Sequence, residues 1–220
     1  MNKKRAWIVG GALGCFVITA YFVCHSLSTG QPLAFDTVLR EMLIGFRGDL
    51  LNPILIGITY LGNSQNIILI CIVLLFLASS RRKYGFPLAI TACASVTIQT
   101  YFKVIVHRPR PELTEFLITQ GGYSFPSGHS CTGLVFYGLF AYLVVHNLKD
   151  RTAARAIAAT FIVLIVLIGI SRVYVGVHYP TDVVGGWSLG IVILMGAIEI
   201  IERIQNKEKK RSFKARGKGK

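Results

Sequence analysis

Charge is scarce in this sequence. Asp, Glu, Lys and Arg make up 15% of the 220 residues, where a soluble domain carries roughly 25%. Acid is scarcer still, with 10 Asp and Glu against 24 Lys and Arg. Residues 50–80 and 116–148 contain no charged side chain at all. Such hydrophobicity excludes a disordered chain and argues against a soluble repeat protein. The five cysteines (Cys15, Cys24, Cys71, Cys93, Cys131) are odd in number and lie in or beside apolar blocks without any C-x-x-C spacing. That pattern excludes a disulfide framework and a Cys/His metal centre, and leaves them as small buried hydrophobes. No carboxylate cluster is spaced to hold Mg²⁺. What remains is 53% apolar residues and a mean hydropathy of +0.56, the composition of a membrane protein.

The apolar blocks divide into spans. A basic start, Lys3-Lys4-Arg5, precedes a charge-free run over 6–24. That run is longer than a signal-peptide core and matches the roughly 20 residues that cross a bilayer. Residues 26–49 turn polar and read as a loop with a short interfacial helix. The block 50–80 is too long for one straight span. Its Gly62-Asn63-Ser64 interruption predicts an interfacial or re-entrant piece over 50–61, then a span over 65–80. Further spans are expected at 86–106, 128–146, 156–171 and 183–201. The fold class is therefore all-α: six transmembrane helices over 1–202, with an interfacial helix between the first two, followed by a basic tail over 203–220. With the N-terminus cytoplasmic, the inner segments hold 18 of the 24 Lys and Arg, as the positive-inside rule requires. The tail suits contact with anionic lipid rather than nucleic acid. Trp7 and Tyr174 read as interface aromatics, Trp187 as packing, and His25, His107 and His146 as interfacial.

Three polar stretches fall on the outer face of that topology. Lys103-Val-Ile-Val-His-Arg-Pro-Arg110-Pro111 ends the third span, Tyr123-Ser-Phe-Pro126-Ser127-Gly128-His129 opens the fourth, and Ser171-Arg172 through His178 to Asp182 links the fifth and sixth. Lys103, Arg110 and Arg172 are cations suited to a dianionic oxyanion, with Arg able to bind two oxygens at once. Ser127 and Gly128 start a helix whose N–H groups can receive an anion, and Gly128 permits close approach. Together these residues form a phosphate cradle. His178 lies four residues before Asp182, a spacing at which the carboxylate fixes one ring nitrogen and frees the other for attack. His129 has no such carboxylate and suits a general acid.

These stretches resemble the signature of the type-2 phosphatidic acid phosphatase family, which shares its site with vanadium haloperoxidases and bacterial acid phosphatases. The signature runs Lys, six residues, Arg-Pro; Pro-Ser-Gly-His; then Ser-Arg, five residues, His, three residues, Asp. All three parts occur in order between Lys103 and Asp182. The resemblance implies that His178 attacks phosphorus to give a phosphohistidine, that Asp182 orients it, and that His129 protonates the leaving group. Lys103, Arg110, Ser127, Gly128 and Arg172 would hold phosphate oxygens, with no metal or other cofactor. Arg108-Pro109 is a second Arg-Pro, and Arg108 could share the role of Arg110. The implied function is extracytoplasmic dephosphorylation of undecaprenyl diphosphate, phosphatidylglycerol phosphate or phosphatidate in a bacterial cell membrane. Undecaprenyl diphosphate is favoured because it must be dephosphorylated on that face. A phosphotransferase using the same phosphohistidine, or a non-catalytic lipid-phosphate binder, are the alternatives.

Overall fold

The computed structural model describes residues 2–112 and 116–217, and these are helical with no strand among them. Among the described residues nine α-helices run in order: α1 Lys3–Thr29, α2 Ala34–Gly45, α3 Leu51–Leu61, α4 Ser64–Phe76, α5 Ala78–Ser80, α6 Phe86–Val106, α7 Gly128–Asn147, α8 Arg151–Tyr174 and α9 Pro180–Gly217. A π-helical turn, Arg81–Gly85, feeds α6. Side-chain oxygens cap the starts of several helices, Asn2 for α1, Asn63 for α4, Ser127 for α7 and Asp150 for α8. Each cap satisfies backbone donors that the first turn leaves open.

Among the described residues five helices are long and apolar enough to cross a membrane: α1, α6 with its leading turn, α7, α8 and α9. The pair α3 and α4 passes the same test together and bends by 53° at Gly62-Asn63, where the sequence places the interruption between a re-entrant or interfacial piece and the second span. The straight part of that span, α4, ends at Phe76. At 13 residues, α4 is about 20 Å long, too short alone for a hydrocarbon core of about 30 Å. The expected interfacial helix is α2. Its outer stripe of Phe35, Val38, Met42 and Phe46 is exposed while Asp36 is buried, so the helix lies with one apolar edge outward and one acid inward.

The centre is α7, which packs on α6, α8 and α9. Close helix approach in lipid depends on small residues. A Cβ on Gly186 of α9 would meet the Ser127 carbonyl oxygen at 2.6 Å, and one on Gly190 the Cys131 carbonyl oxygen at 3.1 Å. These two glycines let α9 lie against the start of α7. At the other end, Arg5 of α1 pairs with Glu202 of α9 at 2.5 and 2.6 Å, and Tyr142 of α7 donates to the same carboxylate.

Two expectations about burial are corrected. Cys71 and Cys131 are buried, but Cys15, Cys24 and Cys93 are exposed; a span's apolar residues can face lipid as well as protein. Tyr174 is not an interface aromatic but a buried one, donating to Asn52 Oδ1 at 2.8 Å. The basic residues of the expected tail are helical, as α9 continues to Gly217, and residues 218–220 lie outside the described ones.

Candidate active site

Five ends meet at one pole of the bundle: the last turns of α6 and α8, the first turns of α7 and α9, and the α3–α4 bend. His107 ends α6 with φ 53°, a left-handed conformation uncommon outside glycine. The chain turns there, sending Arg108 into the interior and Arg110 to a cavity. That cavity, about 370 Å³, is lined by Lys103, Arg110, Gly128, His129 and His178, and also by Asn63, Ser64, Gln65, Gln99 and residues 119–123. Ser127, Arg172 and Asp182 are fully buried and sit behind it. All eight expected site residues thus belong to one cluster.

His178 is the hinge of the cluster. Its Nδ1 lies 3.2 Å from Asp182 Oδ2 and 3.3 Å from Ser124 Oγ, while its Nε2 lies 3.2 Å from Arg110 Nη1. Asp182 can accept at Nδ1, so the proton belongs there and the lone pair belongs on Nε2. Burial first, then Arg110, Lys103, Arg172 and Arg108, hold the imidazole pKa well below its ordinary value. The ring is therefore neutral at physiological pH. Arg110 is itself lowered to about 10 by burial, which Asp182 partly offsets, and it stays charged.

Asp182 is gripped from several sides. Arg108 Nη1 donates to Oδ1 at 2.7 Å, Tyr179 N–H to Oδ2 at 2.9 Å, and Ser124 Oγ also donates to Oδ2. Arg108 reaches back with Nη2 to Asp36 Oδ2 at 2.6 Å, and its guanidinium lies 4.1 Å from the Tyr179 ring centroid. Asp36 in turn accepts from the Thr181 N–H and hydroxyl at 2.8 and 2.7 Å. Burial works against the Arg108 charge, but Asp182 and Asp36 outweigh it and raise its pKa. Arg108 therefore does not share the position of Arg110. It is bound to two carboxylates behind the nucleophile candidate.

The cations are held as follows. Lys103 Nζ donates to the Tyr123 and Ser124 carbonyls at 2.6 and 3.1 Å. Arg110 donates to the carbonyls of Gly121, Gly122, Tyr123 and Val177. Arg172 Nη1 donates to Thr59 Oγ1 at 2.6 Å and Nη2 to Gln120 Oε1 at 2.8 Å, while its buried Nε has no partner. Ser127 Oγ caps α7 by accepting from Ser130 N–H at 3.4 Å. The Ser127 N–H is not open to an anion, because it donates to the Asp182 carbonyl at 2.9 Å. The open donors of this turn are the Gly128 and His129 N–H groups.

Asp36, Thr59 and Gln120 were missing from the sequence reading of the site, and Ser124 lay in its second stretch without a role. Asp36 carried a usable signal, an acid among Leu33, Ala34, Phe35 and Val38; Thr59 and Gln120 carried none. Among the described residues no group of three or more His, Cys, Asp or Glu could hold a metal ion.

Residues 83–205 match the PAP2 superfamily. Phosphatidylglycerophosphatase B of Bacillus subtilis is 32% identical over 83% of this chain and 92% of its own. An undecaprenyl-diphosphatase of Sulfolobus acidocaldarius is 28% identical over 91% of this chain and 93% of its own. Among solved structures, a transmembrane PAP2-type phosphatidylglycerolphosphate phosphatase from Bacillus subtilis superposes with a TM-score of 0.79 at 27% identity, covering 90% of this chain and 98% of that one.

Proposed function

The chain belongs to the PAP2 superfamily and is a multi-pass membrane lipid phosphatase, and from that premise we propose that it removes a terminal phosphate through a phosphohistidine on His178. The substrate is phosphatidylglycerol phosphate or undecaprenyl diphosphate, and the reaction runs at the extracytoplasmic face. The observation that carries this reading is the two-sided environment of His178, with Nδ1 on Asp182 and Nε2 at the cavity beside Arg110.

The Nε2 lone pair attacks phosphorus while the bond to the leaving oxygen breaks. His129, lining the same cavity, gives its proton to that oxygen. Asp182 stabilises the positive charge that develops on the ring. Water then attacks the phosphohistidine as His129 takes its proton back; phosphate leaves and His178 is regenerated. Lys103, Arg110, Arg172 and the Gly128 and His129 N–H groups neutralise the equatorial oxygens. A phosphate dianion offers Lys103 and Arg110 full opposite charge where the carbonyls offer only dipoles, so substrate displaces the carbonyls that these two cations now hold. These cations supply the charge a metal would otherwise bring, so the reaction is metal-independent.

The reading is tested with purified protein and lipid labelled in its terminal phosphate. Label should appear as free phosphate at a rate unchanged by excess EDTA. An acid-labile, alkali-stable phosphoprotein should be trapped, and His178→Ala should abolish both. Transfer of label to an added alcohol with none to water would make the protein a phosphotransferase instead. An EDTA-sensitive rate restored by Mg²⁺ would overturn the metal-free mechanism.

A further inference from the structure

The cavity has more wall than one phosphate needs. Next to the Lys103 and Arg110 cradle it is lined by Asn63, Gln65 and Gln99, three carboxamides from the start of α4 and from α6. Apart from His129, no further cation among the described lining residues stands on that side, and Arg108 is engaged by Asp36 and Asp182. Gln99 is 7% exposed. Its Nε2 donates to Thr100 Oγ1 at 3.1 Å, and its Oε1 is buried without a partner. If the two amide atoms exchange places, the hydroxyl of Thr100 can donate to the oxygen, and the NH₂ becomes the unpartnered end. Either way one hydrogen-bonding end of the amide is open.

That open end lies against the first turn of α7. A Cβ built on Gly128 would stand 3.0 Å from Gln99 Oε1, so the space left by the missing side chain is taken by this amide. It thus reaches the residue before His129, which on the reading above protonates the leaving oxygen. Leaving a buried amide oxygen unmatched costs stability unless a ligand completes it. A second phosphate here would meet neutral amides where it needs cations. An alcohol hydroxyl can both donate to and accept from them.

Resting on the phosphatase reading, we propose that Gln99, with Asn63 and Gln65, forms a subsite for the leaving group, and that this subsite selects a lipid phosphomonoester whose leaving alcohol carries a free hydroxyl. The subsite specifies a polyol phosphate headgroup over a diphosphate. Sites that hydrogen-bond a substrate hydroxyl reject analogues lacking it far more strongly than apolar pockets reject a missing methylene. A partly solvated subsite of this kind should discriminate by roughly 10- to 100-fold.

The experiment compares kcat/KM of the full-length wild type on three lipids: phosphatidylglycerol phosphate, its analogue with the free headgroup hydroxyl replaced by hydrogen, and undecaprenyl diphosphate. The first should exceed each of the others by about 10-fold or more. In Gln99→Leu the ratio between the first two lipids should collapse to within about twofold. Equal wild-type rates on the hydroxyl and deoxy lipids would overturn the subsite, as would a preference for undecaprenyl diphosphate. Retained discrimination in Gln99→Leu would remove Gln99 from it. The wild-type comparison stands even if that variant does not fold. Failure of all three lipids to release phosphate would instead refute the phosphatase reading and this inference with it.

Discussion

Two buried carboxylates are tied together through one guanidinium. Asp36 and Asp182 both pair with Arg108, at 2.6 and 2.7 Å. Asp182 turns its other oxygen to His178. Removing either partner of such a pair is costly, roughly 3–5 kcal/mol, because a buried charge is left uncompensated. Asp36→Asn should therefore destabilise the protein and lower kcat, with KM changing by less than about twofold, since Asp36 does not line the phosphate cavity. A further readout separates positioning from mere support. Arg108, freed of one anion, would disfavour imidazolium at His178 more strongly, because an unbalanced like charge lowers a histidine pKa. The acid limb of the pH profile of kcat/KM should then move to lower pH. A limb unmoved or moved upward would show that Asp36 serves folding alone.

Elements differ in how readable they were. The helix-opening motif at Ser127-Gly128-His129 and the i, i+4 pair His178 and Asp182 are local patterns, and local patterns survive in a sequence. The bend at Gly62-Asn63 was also visible, although its use was not: it brings Asn63 and Ser64 to the cavity, and Thr59 on the preceding helix to Arg172. The Asp36–Arg108 contact joins side chains 72 residues apart, and no periodicity encodes it. Lipid-facing and protein-facing positions were equally illegible, because both are apolar; Cys93 and Cys131 read alike and fall on opposite sides. The glycines of α9 show the same limit. Gly186 and Gly196 are indistinguishable in sequence, yet a Cβ on Gly186 meets the Ser127 carbonyl oxygen at 2.6 Å and one on Gly196 meets nothing within 4 Å. Gly186→Ala should cost roughly 1–3 kcal/mol by overpacking and lower kcat/KM, because it displaces the turn bearing Ser127 and His129. Gly196→Ala should be neutral or stabilising by up to about 1 kcal/mol through helix propensity. Thermal unfolding in detergent and phosphate release measure both; similar behaviour of the two variants would refute the close packing of α9 on α7.

The whole molecule is polarised along its helix axes. The cluster around His178 sits where α6 and α8 end and α7 and α9 begin. Residues 81–83, 149–155 and the basic part of α9 occupy the far ends of those helices, with residues 3–5 of α1 beside the end of α9. The 21 residues of α6 extend about 30 Å, the thickness of a hydrocarbon core, from the π-helical turn that bears Arg81 to the end that bears Lys103. The 38 residues of α9 would extend about 57 Å, so the helix projects past the bilayer on the basic side. The positive-inside rule assigns that side to the cytoplasm, and basic residues there gain about 1 kcal/mol each from an anionic leaflet. On the proposed topology the pole bearing His178 faces outward, and substrate is presented on the outer leaflet. A short-chain, membrane-impermeant phosphatidylglycerol phosphate added to intact cells or right-side-out vesicles should be hydrolysed as fast as after permeabilisation. In inside-out vesicles hydrolysis should appear only once the bilayer is opened. The reverse result would invert the topology and place the phosphate released, and the lipid that supplies it, on the cytoplasmic side.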